Sequence, residues 1–107
     1  MQKYVFTNQN HKYTVTLVRA TYRTNNRFAA EMVALNGRSI AMITVNINAP
    51  LSENKPNINF VDKNNLRNIE EFLIENEIAK PTGYYVKSGF CVYPEYEFDL
   101  TKFRERK

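Results

Sequence analysis

Tryptophan is absent, cysteine and histidine occur once each, and glycine and proline number only three and four in 107 residues. The single Cys91 excludes an internal disulfide, and Cys91 with His11 is too small a set for a Cys/His zinc centre. No apolar run approaches the ~18 residues of a membrane span. Residues 1–15 hold no signal-peptide core, so a soluble, cytoplasmic protein without a membrane partner is expected. Hydrophobic residues at 43% and aromatics at 13%, all Tyr and Phe, exclude a disordered or low-complexity chain. The length suits one domain over residues 1–107, able to bury roughly two-thirds of the unfolded chain's surface without metals or disulfides.

The first half reads as strands. Lys3–Thr7 alternates Tyr4 and Phe6 with polar neighbours, and Asn8-Gln9-Asn10 is turn chemistry that includes His11 at its end. Lys12–Arg19 alternates Tyr13, Val15 and Leu17 with Lys12, Thr14 and Thr16, which puts one face on a core and the other in water. Asn36-Gly37 separates Arg27–Leu35 from Arg38–Ile47 and suits a type I′ hairpin turn with φ > 0 at both positions. Ala41, Ile43, Val45 and Ile47 share one face of the second strand, with Ile40 and Met42 on the other, which predicts a central strand. Phe28–Leu35 has a helical alternative through Phe28, Met32 and Leu35.

Asn48–Asn59, with Pro50 and Pro56, is a long connection of the kind that carries function. A helix over about 64–79 follows, N-capped by Asn64 or Asn65, with Leu66, Ile69, Phe72 and Leu73 on one stripe. Asn76 is placed to adopt the left-handed conformation near its end, and Pro81 stops it. Tyr84–Lys87, a Ser88-Gly89 turn or bulge and Phe90–Tyr93 come next. Pro94 then makes the strand carrying Glu95, Glu97 and Asp99 an edge or a bend. The fold class is α+β: a mainly antiparallel sheet of five or six strands with one helix packed on one face. The expected core is Val15, Leu17, Ile43, Val45, Leu66, Ile69, Leu73 and Phe90.

Ala41-Met-Ile-Thr-Val-Asn46, Phe60-Val-Asp-Lys-Asn-Asn65, Pro81-Thr-Gly83 and the stretch from Ser88 to Leu100 together resemble a family of small bacterial domains of unknown function. Its members are stand-alone proteins of low-GC bacteria and of their phages and conjugative elements. The resemblance spans most of the chain and is most specific over Ser88–Leu100. It implies a shared fold and a mobile-element setting, and it brings no catalytic residues with it.

No catalytic set assembles from the residues. A thiol nucleophile needs a base and an orienting group, yet Cys91 lies between Phe90 and Val92 and reads as a buried small hydrophobe. Glu95, Glu97 and Asp99 read as a solvated strand face rather than an acid–base pair in a cleft. Asp62-Lys-Asn-Asn65 lacks the Gly and Glu of a calcium loop, and Gly83 and Gly89 make no phosphate-binding pattern. No cofactor or metal is expected, and no enzyme.

Charge carries the remaining signal. Lys and Arg number 15 against 11 Asp and Glu, for a net +4. Lys3, Lys12, Arg19, Arg23, Arg27 and Arg38 face only Glu31 in the first 49 residues. Arg19, Arg23 and Arg27 recur at four-residue steps around Tyr22, and guanidinium forks with a stackable ring suit phosphate, carboxylate or a base. Arg19, Tyr22, Arg23, Arg27 and Lys12 are therefore the candidate partner-binding residues. They are preferred over an acidic face formed by Glu70, Glu71, Glu75 and Glu77, because a basic chain is steered away from basic grooves.

The favoured function is a non-catalytic mobile-element accessory protein that binds and blocks a host defence nuclease, as anti-CRISPR proteins do. Its partner is the defence protein or its nucleic-acid complex. The alternatives are a small nucleic-acid-binding module and, third, an enzyme built on Cys91. The 48–59 connection and the edge strand are each suited to a homodimer contact.

Overall fold

The computed structural model describes residues 2–106. In chain order its elements are β1 (Tyr4–Asn8), β2 (His11–Thr21), β3 (Phe28–Ala34), β4 (Ser39–Met42), β5 (Thr44–Val45), β6 (Ile58–Val61), α1 (Ile69–Glu75), β7 (Ala79–Ser88), β8 (Cys91–Phe98) and β9 (Arg104–Glu105). The α+β class read from the sequence is the one observed. The strands form two sheets rather than one. The first runs β1-β2-β3-β4, with β9 parallel to β2 at Val18 and Arg19. The second runs β5-β6-β8-β7 and is antiparallel throughout.

The expected long strand over 38–47 divides at Ile43. Met42 pairs with Glu31 in the first sheet and Thr44 with Val61 in the second. Between them, Ile43 donates its N–H to Ala30 at 2.8 Å and accepts from the Asp62 N–H at 2.9 Å. Its side chain is wholly buried. Apolar residues on both faces of this stretch thus reflect a chain crossing between sheets, and Val45 ends half-buried rather than in the core.

The Asn36-Gly37 hairpin forms, with a different turn. Gly37 donates to the Ala34 carbonyl and Ala34 to that of Arg38, while only Gly37 has positive φ. This is a type I turn followed by a glycine bulge, which needs one left-handed residue instead of two. Phe28–Ala34 is a strand and not a helix.

One core joins both sheets. Val15, Leu17, Met32 and Ile43 meet Ile69, Phe72 and Leu73 of α1, and Val61, Tyr96 and Phe98 of the second sheet. Phe72 lies edge-on to Phe6 and Tyr4, with centroids 5.1 and 6.1 Å away. Phe28, Phe98 and Phe103 form a second aromatic group. Phe90, expected in the core, is instead fully exposed in the β7–β8 turn.

The helix is shorter than its apolar stripe. Leu66 is buried but belongs to an irregular turn, closed by its N–H on the Asp62 carbonyl. Asn68 is the N-cap residue and makes no side-chain cap bond, so neither Asn64 nor Asn65 caps the helix. At the other end Glu77, not Asn76, takes the left-handed conformation, at φ 55°. The Glu77 N–H bonds the Ile74 carbonyl and the Ile78 N–H that of Leu73, which is the Schellman arrangement that favours glycine. Pro81 falls within β7, beyond a helix already ended. Glu77→Gly should therefore stabilise the protein by about 1 kcal/mol, raising Tm by roughly 4 °C. A thermal melt showing a lower Tm would contradict this reading of the cap. Among the described residues no helix is long and apolar enough to cross a membrane.

Candidate functional site

The β2–β3 connection is a tied loop. Tyr22 and Arg27 are joined by Tyr22 N–H to Arg27 O at 2.9 Å, and Asn26, at φ 59°, returns its N–H to Tyr22 O. Four side chains pin the loop to residues 44–47. The Tyr22 hydroxyl bonds Thr44 Oγ1 at 2.9 Å, and Asn25 Nδ2 donates to Asn46 Oδ1. Asn46 Nδ2 in turn donates to Thr24, and Arg27 Nη1 to Ile47 O at 2.9 Å. Burial pushes the Tyr22 hydroxyl up in pKa and the Asp62 charge adds to this, with the Thr44 bond pulling the other way. The phenol therefore stays protonated at neutral pH.

The three arginines do not form one stripe. Arg19 is on β2 and pairs with Glu105 of β9 at 3.1 Å. Arg27 is half-buried on Ile47. Of the three, Arg23 alone is exposed, with no hydrogen bond or ion pair among the described residues. Lys12 is exposed at the opposite end of β2, roughly 30 Å away at strand rise. The structure thus keeps Arg23 as a free basic group, gives Arg19 and Arg27 structural partners, and separates Lys12 from the set.

The connection meets the long loop of residues 46–57. Asn25, Asn26 and Arg27 form one wall of a groove of about 490 Å³, with Leu51, Asn54 and Lys55 opposite. The two segments singled out in the sequence therefore share one surface.

That loop is held by a residue the sequence reading placed in solvent. Glu95 is completely buried. Its carboxylate accepts from the Ser52 N–H at 2.8 Å, from the Ser52 hydroxyl, and from the Thr82 hydroxyl at 2.7 Å. Tyr84 adds a bond from its hydroxyl to Pro50 O at 3.1 Å. Glu95 alternates with Tyr96, whose side chain points into the core, but the loop crosses the other face of the strand. Glu97 is half-buried near Lys55, at 3.8 Å. Asp99 is exposed and accepts from both the N–H and the hydroxyl of Thr101, which holds its carboxyl below the usual carboxylate range. The three carboxylates thus occupy three different environments.

A second carboxylate is withdrawn from water in the first sheet. Glu31 accepts from the Ser39 hydroxyl and meets the Arg106 guanidinium. On the helix, Glu70 accepts from the Tyr96 hydroxyl at 2.6 Å. Burial first, and Glu70 second, push that phenol far above its usual pKa.

The candidate nucleophile and base lie apart in the topology. Cys91 is half-buried at the start of β8, opposite Ser88. His11 is exposed at the start of β2, 6.2 Å from the Tyr13 ring. No hydrogen bond joins their two hairpins directly among the described residues. Asp62 accepts from Asn65 Nδ2 at 2.9 Å, and no group of three or more His, Cys, Asp or Glu there could hold a metal ion.

The chain belongs to the family described as domain of unknown function DUF4313, whose model matches residues 16–107. All the candidate partner-binding residues except Lys12 fall inside the match. No curated protein and no solved structure matches the chain.

Proposed function

We propose that this family member is a non-catalytic binding protein that occupies and blocks a surface of a larger partner, in concrete form a host defence nuclease countered by a mobile element. The observation that carries the reading is the use of the withdrawn carboxylates. Glu31 and Glu95 each hold a chain segment in place, Glu31 through Ser39 and Arg106 and Glu95 through Ser52 and Thr82. What remains for a partner is a braced surface: the tied loop bearing exposed Arg23, beside a groove lined by Arg27 and by Lys55, which pairs with Glu53 at 3.3 Å. Its chemistry fits an acidic protein patch, or phosphates already bound to a nuclease, and the net positive charge steers approach to either. The resemblance to mobile-element proteins supports the choice of partner by association.

The test is interference by a purified nuclease complex, with binding measured across a salt series. Arg23→Ala should weaken binding and flatten its salt dependence, with Tm unchanged because the group is solvated. Arg27→Ala should lower stability by about 1 kcal/mol through loss of the Ile47 bond. Unimpaired interference, with no defence component recovered from host lysate, would overturn the proposal. Tight retention of nucleic acid alone in a low-salt mobility shift would instead assign the same groove to phosphate.

A further inference from the structure

Two aromatic side chains stand outside every packing layer. Phe90 is fully exposed at the tip of the β7–β8 hairpin, and Tyr85 on β7 is 59% exposed. Both belong to the part of the hairpin that runs past β6, whose pairing with β8 stops at Glu95. β7 is also an end strand, with β8 on one side and, among the described residues, no strand on the other. Pro81 and the irregularity between Pro81 and Tyr85 close its first half to a further strand. Residues 85–88 remain regular and open.

The hairpin fixes which backbone groups point outward. Gly89 and Phe90 are the two central turn residues, with Gly89 at φ 61°, so Ser88 and Cys91 close the turn as a hydrogen-bonded pair. Alternation along an antiparallel ladder makes Val86–Tyr93 the next such pair. The N–H and C=O of Tyr85 and Lys87 are thereby turned to the free edge.

We propose that this edge pairs with the same edge of a second copy, antiparallel about a two-fold axis through Val86. Tyr85 then stands opposite Lys87 of the second copy, twice by symmetry. This register maps the regular residues 85–87 onto themselves, and their outward backbone groups meet each other. A register centred on Lys87 places like charges face to face. One centred on Tyr85 runs Lys87 onto Gly83 of the second copy, in the irregular segment at φ 92°. Only the Val86 register brings each Tyr85 ring to an ammonium across the strands, a favourable cation–π geometry. It also carries Phe90 towards positions 82–83 of the second copy, where Gly83 has no side chain and open space around it. One symmetry operation covers both exposed aromatics. This short edge and two rings per copy bury less than the ~800 Å² per partner of a standard interface, so a micromolar dimer is expected.

Sedimentation equilibrium from micromolar to millimolar protein tests this without any other partner. The wild type should pass from monomer to dimer across that range. Y85K sets ammonium against ammonium and should weaken the dimer by about tenfold or more. Y85K/K87E places opposite charges in the same register and should restore it. K87P removes an outward N–H and the ammonium that meets Tyr85, neither of which the β7–β8 ladder uses, so it should give a monomer with an unchanged circular dichroism spectrum. A wild type monomeric at millimolar concentration overturns the proposal. So does a dimer untouched by both Y85K and K87P, or a failure of Y85K/K87E to recover association.

Discussion

Glu95→Ala is expected to destabilise the protein by about 3 kcal/mol and to release the loop of residues 46–57. The carboxylate is fully buried, and hydrogen bonds from Ser52 and Thr82 hold it. Truncation strands the donors beneath the loop and leaves a void where four heavy atoms stood. Glu95→Gln keeps the volume but turns an amide N–H₂ towards hydroxyl and N–H donors, so about half the loss should persist. Urea unfolding measures the first effect, and proteolytic cleavage within 48–57 the second. An unchanged urea midpoint in the alanine variant would show that the loop does not depend on Glu95. Because the loop is one wall of the candidate groove, partner binding should fall with it.

The second large effect contrasts two phenylalanines eight positions apart. Phe98→Ala should cost about 3–5 kcal/mol, lowering Tm by more than roughly 12 °C. Its ring is 4.9 Å from Phe28 and 6.0 Å from Phe103, and its N–H bonds Asn57 O at 2.8 Å. Losing it empties the junction of the two sheets and loosens the turn leading to β9. Phe90→Ala should change stability by less than about 0.5 kcal/mol, because the monomer buries none of that ring. Thermal melts of the two variants at low protein concentration provide the comparison. Comparable losses would mean that the hairpin tip is packed in the monomer.

Much of the architecture was legible because alternation and turn chemistry are local. Tyr4, Phe6, Val15 and Leu17 declared two strands and their inner face, and Asn36-Gly37 declared a hairpin. The division into two sheets was hidden because residues 38–47 satisfy a strand pattern whichever sheet each half joins. The helix was overextended because Leu66 keeps the three-residue step from Ile69 inside a turn. Phe90 was misplaced because its apolar neighbours hide the demand of a two-residue turn for one residue after Gly89. Glu95 was missed for a different reason: alternation says which residues share a face, and not whether a polar loop crosses it. The arginine spacing was real, but over a strand, a turn and a strand entry a step of four does not align side chains as it would on a helix.

The parallel pairing of β9 on β2 joins residues far apart in time as well as in space. Arg19 meets Glu105 across 86 positions of chain. At ribosomal rates of ~5–20 residues per second, β2 waits roughly 4–17 s for the strand that completes it. During that interval β1 to β4 can form from local hairpins, while Val18 and Arg19 present an open edge to other nascent chains. Arg19, still without its C-terminal counter-charge, places a positive charge on this unfinished edge. Such a charge deters intermolecular strand pairing, so a residue that later joins an exposed ion pair first serves as a guard on the growing chain.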